Sequence, residues 1–153
     1  MRERHMDLSV LIDIMYHYGY TFLMNLEWII KYYYTQPGEV PFKEWRNGLG
    51  DKVTEDKINA YIVRLMAGNF SNCKPIQGVK GIYEIVMDFG PGYRAYYTRV
   101  GKVIVLILCG GLKNKQKGDI ETAVKYREDA LKRIQAGIFE GIKPEGKDEK
   151  NKK

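Results

Sequence analysis

Side chains that usually carry metal or covalent chemistry are scarce in this sequence. Histidine occurs twice, as His5 and His17, both in the N-terminal segment. Cysteine also occurs twice, as Cys73 and Cys109, at no metal-ligand spacing. A metal site, or a triad built on histidine in the main body of the chain, is therefore not expected, and no cofactor is called for. Two ordinary thiols suit a reducing compartment, so the expected location is the cytoplasm. Long apolar runs are missing too. The opening MRERHMDLSVLIDIMYHYGYTFL is apolar only in patches, Asp13 interrupts it, and no small-residue cleavage site follows. That pattern suits neither a signal peptide nor a membrane span, and no membrane association is expected.

What is present is enough for one core. With 44% hydrophobic and 29% charged residues in 153, a single folded domain is expected. The formal net charge of +6 favours approach to polyanions, or to an acidic protein partner. Met24 opens MNLEWIIKYYYT, which reads like a natural domain start. Residues 1–23 are thus read as an extension, either native or the product of an upstream start codon. Residues 24–135 form the expected domain, and 136–153 a charged tail expected to be disordered.

Residues 27–35, EWIIKYYYT, are rich in aromatic and β-branched side chains and read as a strand. Pro41 suits a first helical position, with Gly48 and Gly50 stopping a short helix. In KVTEDKINAYIVRLMAGNF, residues Ile58, Tyr61, Ile62, Leu65 and Met66 recur at helical spacing, and Gly68 is a C-terminal stop. A loop with Cys73 and Pro75 leads to three strand-like runs, GIYEIVMDF, GYRAYYTRV and KVIVLILC. Their short links, Gly90-Pro91-Gly92 and Gly101, predict successive antiparallel neighbours. The last run is apolar on both faces, as a covered central strand should be. Asp119 is read as the cap of a final helix burying Ile120, Ala123, Val124, Leu131 and Ile134.

The order of these elements, with the blocks PFKEW, RLMAGNF, KPIQGVKGIYEI, DFGPGYRAYY and VLILCGGLKNKQKGDI, resembles the RelE/ParE superfamily of toxins, and within it the HigB-like addiction-module killer branch. The resemblance runs from about Met24 to Leu131. It implies an α+β fold: a small twisted antiparallel sheet, one N-terminal strand plus three consecutive C-terminal strands, with helices on one face and a C-terminal helix. It also implies the toxin of a type II toxin–antitoxin system, neutralised by a cognate helix-turn-helix antitoxin. Many relatives enter the ribosome and cut mRNA without a metal. The ParE branch instead poisons DNA gyrase, and a degenerate toxin would only bind its antitoxin.

RNA cleavage of this type needs a ribose 2′-hydroxyl to attack the adjacent phosphate, charge to be stabilised on phosphorus, and the leaving oxygen to be protonated. Alternation on the strand over residues 92–100 sets Arg94, Tyr96 and Thr98 on one face and Tyr93, Ala95, Tyr97 and Arg99 on the other. The resemblance places a catalytic arginine at Arg94, whose planar guanidinium can hold two phosphate oxygens. Tyr96 is a candidate to stack on a base or orient the phosphate. Glu84 is a candidate general base; the ordinary alternative is a cross-strand ion pair with Arg94. Lys113, Lys115, Gln116 and Lys117 form a basic loop expected to contact RNA, with Lys113 and Gln116 at positions the family uses and Lys113 also a catalytic candidate; Arg99 is a further RNA-binding candidate. Three positions depart from the family pattern: Val86 where a basic residue is common, Leu112 where an acidic one is usual after the glycine pair, and Ile120 where some relatives bring a tyrosine.

Overall fold

The computed structural model describes residues 27–142, together with the helical positions Ser9, Ile12 and Tyr16. The rest of the expected extension, and residues 143–153 of the expected tail, lie outside the described residues.

The chain order is β1 (Ile29–Tyr32), α1 (Pro41–Gly48), α2 (Lys52–Met66), β2 (Cys73–Pro75), β3 (Tyr83–Met87), β4 (Tyr93–Val100), β5 (Ile104–Leu112), a 3-10 turn (Lys113–Lys115) and α3 (Gln116–Gln135). Pro41 opens α1 as its fixed φ and missing N–H allow. Asp51 caps α2, its side chain accepting from the Val53 amide at 3.1 Å. Gly68, at φ +78°, follows the end of α2 in a conformation that side chains resist.

The five strands form one sheet in the order β1-β5-β4-β3-β2. β2 to β5 are antiparallel neighbours, as the short links require. β1 departs from the expected all-antiparallel sheet: it pairs parallel to β5, from Ile29 opposite Ile104 to Tyr32 opposite Ile107. Alternation in the sequence marks a strand but says nothing about its direction. β2 was also unforeseen, because three residues ending in proline make an edge strand too short to show a period.

Helices cover both faces of the sheet rather than one. α1 and α2 bury Phe42, Ile58, Ile62 and Leu65 against Ile85, Ala95, Tyr97, Val105 and Ile107. α3 lies on the other face, with Ala123, Ala130 and Ile134 against Tyr96, Leu106 and Leu108. Ile120 and Val124 are only partly buried against that core, and Asp119 sits inside the first turn of α3 rather than capping it. The burial of both faces explains the continuously apolar β5.

The domain also extends past residue 135. Phe139 and Ile142 are buried against the α3-side core, and the Phe139 ring lies 4.5 Å from that of Tyr34. The first seven residues of the expected disordered tail are therefore part of the fold. Phe139→Ala is expected to destabilise the protein by about 3 kcal/mol, as for a buried aromatic, in urea unfolding. A loss under about 0.5 kcal/mol, ordinary for a surface site, would show that the segment does not contribute.

Candidate functional site

Across the α3 face of the sheet, strand pairing sets two rows of side chains side by side. Lys74, Glu84, Tyr96 and Cys109 form one row, and Val86, Arg94 and Gly111 form the next. The N-terminal turn of α3 lies over them. The absence of a side chain at Gly111 matters here, because a Cβ at that position would collide with the Asp119 carboxylate.

Arg94 is 6% exposed. Its Nη1 donates to the Tyr93 carbonyl at 2.9 Å and pairs with Asp88 Oδ1 at 3.2 Å, while Nε is buried without a partner. The expected alternative pair, Arg94 with Glu84, does not form. Glu84, 4% exposed, accepts from Gln116 Nε2 at 3.0 Å and pairs with Lys74 Nζ at 3.3 Å. Asp88, by contrast, is 69% exposed, so its pairing with Arg94 is an exchangeable surface contact at one end.

Tyr96 is fully buried and its hydroxyl has no partner. A covered ring cannot stack on a base, which leaves the hydroxyl as its functional group. Burial pushes the phenol pKa up, and Glu84, Asp119 and Cys109 add to that against an opposing contact from Gln116. The hydroxyl is therefore a donor at neutral pH and not a base. Burial, reinforced by Asp119, raises the Cys109 thiol to about 12, so it is inert.

Lys113 extends from the end of β5 beside the Gly90-Pro91-Gly92 turn, its amide donating to the Gly92 carbonyl at 3.0 Å. Gly92 has φ +84°, and a Cβ there would come within 3.2 Å of the Lys113 stem. Pro91, Leu112, Lys113, Asn114 and Gln116 line a cleft of about 270 Å³. Gln116 links this cleft to Glu84. Lys115 and Lys117 are exposed around it.

Arg99 stands apart. It is on the α1/α2 face, its guanidinium stacked over Trp28, Phe70 and Tyr83 at 4.8 to 5.3 Å. The site thus brings together Arg94, Tyr96, Glu84 and Gln116, with Lys113 and Lys115 at its edge, and leaves Arg99 out. Of the departures, Val86 pairs in register with Arg94, Leu112 lines the cleft, and Ile120 packs on the α3-side core.

The residue that sequence reasoning assigned wrongly is Asp119, taken as a helix cap. Its Oδ2 is buried over Gly111 with no partner, and burial raises its pKa from the ordinary aspartate value, against a lowering by Lys115. The signal was the glycine pair of β5 followed by a carboxylate in the first helical turn, but only the register shows which glycine it covers. Among the described residues, no group of three His, Cys, Asp or Glu side chains could hold a metal ion, and no helix is long and apolar enough to cross a membrane.

Fold and site together define an α+β domain with a five-stranded mixed sheet, three α-helices within residues 27–142, and an arginine-centred polar site under the start of the last helix. The chain belongs to one family with an uncharacterised protein of Haemophilus influenzae, to which it is 42% identical over 82 residues, 54% of this chain and 81% of that protein. No family model matches the chain.

A raised carboxyl pKa in the folded state means that folding favours the protonated form. Stability is then full below the unfolded Asp pKa of about 3.9 and declines as pH rises through the folded value. Asp119→Asn lacks that decline, so it is expected to be more stable than the parent at pH 7 and to lose the advantage at about pH 3. Urea titrations at both pH values check this; equal differences at the two would contradict the burial argument.

Proposed function

We propose that this chain is the toxin of a type II toxin–antitoxin pair, a ribosome-dependent endonuclease of mRNA that halts translation in the cytoplasm and is restrained by a cognate helix-turn-helix antitoxin. The observation that carries this reading is Arg94: a nearly buried guanidinium with an unpaired Nε, held through Nη1 by a backbone carbonyl and an exposed carboxylate. A phosphate can displace Asp88 at small cost, because an exposed ion pair contributes about 0 to 1 kcal/mol. It then meets a fixed cation in a site shielded from water, where charge stabilisation is strongest.

The other residues fit the steps of transesterification. Glu84, with Lys74 and Gln116 on its oxygens, accepts the proton of the 2′-hydroxyl in this reading. The Tyr96 hydroxyl donates a hydrogen bond to the phosphate. Lys113 and Gln116 contact the RNA backbone from the cleft, with Lys115 and Lys117 adding positive charge around it. The net charge of +6 suits approach to the ribosome.

Controlled expression tests the reading. Growth arrest with new RNA 5′ ends inside translated codons is the expected outcome, whereas an SOS response without such ends would replace it with inhibition of DNA gyrase. Arg94→Ala is expected to lower the cleavage rate on the order of 10²–10³-fold, and Arg94→Lys not to restore it, since a lysine cannot present two donors in one plane. Full toxicity in a folded Arg94→Ala protein would remove Arg94 from the site. Lys113→Ala is expected to reduce the salt dependence of RNA binding by about 0.7 in log–log slope, the share of one phosphate contact on a single strand. An unchanged slope would show that Lys113 makes no such contact.

A further inference from the structure

Three polar atoms on the α3 face of the sheet have no partner despite complete burial: Arg94 Nε, the Tyr96 hydroxyl and Asp119 Oδ2. Such groups are rare in folded proteins and costly to keep. Their coincidence is geometric. Arg94 is the register neighbour of Gly111, and Asp119 lies over Gly111. Tyr96, one row on, is within electrostatic reach of both Asp119 and Glu84.

Resting on the nuclease reading above, we propose that Asp119 is a catalytic residue of this site, the general acid that protonates the leaving 5′-oxygen. In the step, the 2′-oxygen forms a bond to phosphorus and gives its proton to Glu84. The bond from phosphorus to the 5′-oxygen breaks, and that oxygen takes the proton carried by Asp119. The products are a 2′,3′-cyclic phosphate and a 5′-hydroxyl. Glu84 then returns its proton to water, and Asp119 regains one from water.

The local structure supplies what an acid needs. Asp119 is half-buried, with Oδ2 turned onto the sheet where no donor stabilises its ionised form. Tyr96 from β4, Cys109 from β5 and Lys115 from the turn before α3 interact with it electrostatically, while Arg94 and Glu84 are the register neighbours of Gly111 and Tyr96 on the sheet beneath. Tyr96 and Cys109 are neutral near pH 7 and add no charge there. Burial opposes ionisation, Lys115 favours it, and the net shift is upward. A carboxyl so held keeps its proton to a higher pH than a surface aspartate and releases it readily to an alkoxide.

The test compares wild type and Asp119→Asn on ribosome-bound mRNA, using an ordinary substrate and one whose scissile 5′-oxygen is replaced by sulfur. A thiolate leaves without protonation, so a missing acid no longer matters. On the ordinary substrate Asp119→Asn is expected to cleave 10²–10³-fold more slowly, with the fall in rate at rising pH abolished. On the sulfur substrate it is expected to cleave within about threefold of wild type, a small part of a typical general-acid effect. Equal defects on both substrates, or no defect on either, would overturn the assignment while leaving the nuclease reading intact. Failure of wild type to cut either substrate would overturn both. Gly111→Ala, which crowds the carboxyl from the opposite side, is expected to show the same substrate dependence if folded.

Discussion

One irregularity in hydrogen bonding decides what faces what in this molecule. Between Tyr96 and Tyr97 of β4, the pairing with β5 shifts by one residue, so that Tyr96 opposes Cys109 while Tyr97 opposes Ile107. Leu108 is the extra residue of a β-bulge, and both it and Cys109 belong to the α3-side core. Without the bulge every residue of β5 beyond it would change faces. As built, Gly110 lies beneath Trp45 of α1 and Gly111 beneath Asp119 of α3. The two adjacent glycines thus admit one large ring on one face and one carboxylate on the other, and the second of these completes the polar site beside Arg94.

The site holds its geometry because α3 is fastened along its length. Gln116 bonds Glu84 at one end, Arg127 donates to Thr98 Oγ1 at 3.1 Å in the middle, and Arg133 donates to the Tyr34 carbonyl near the other end. Asp129 joins that last anchor, accepting from the Tyr33 hydroxyl at 2.7 Å and from Arg133 at 2.9 Å. Phe139 and the Tyr33 and Tyr34 rings surround the Arg133 guanidinium. These contacts keep the first turn of the helix, and with it Asp119, over Gly111. Local instability such as the unpaired Asp119 oxygen is tolerated where a reaction needs it, and the apolar burial on both faces of the sheet offsets it.

Much of this could be read in the sequence, and the limits have physical causes. The four longer strands, the helices, the Pro41 start and the Gly68 stop follow from periodicity and backbone preference, which are local. Alternation likewise puts Arg94 and Tyr96 on one face and Arg99 on the other. The parallel direction of β1 and the placement of α3 opposite α1 and α2 depend on long-range pairing, which no local pattern encodes. Phe139 and Ile142 were hidden by the polar residues that follow them. Asp119 was misread because a carboxylate near a helix start is a common cap, and the bulge that brings Gly111 under it has no sequence signature of its own. That Arg94 would bond Asp88 rather than Glu84 likewise follows only from side-chain geometry.

The central claim is that the buried guanidinium of Arg94 serves phosphoryl chemistry on RNA. End analysis of an mRNA cut by the purified protein on programmed ribosomes tests it most directly. The account predicts 2′,3′-cyclic phosphate on the upstream fragment and a free 5′-hydroxyl on the downstream one, both missing with Arg94→Ala. Intact mRNA, or fragments carrying a 5′-phosphate, would contradict it.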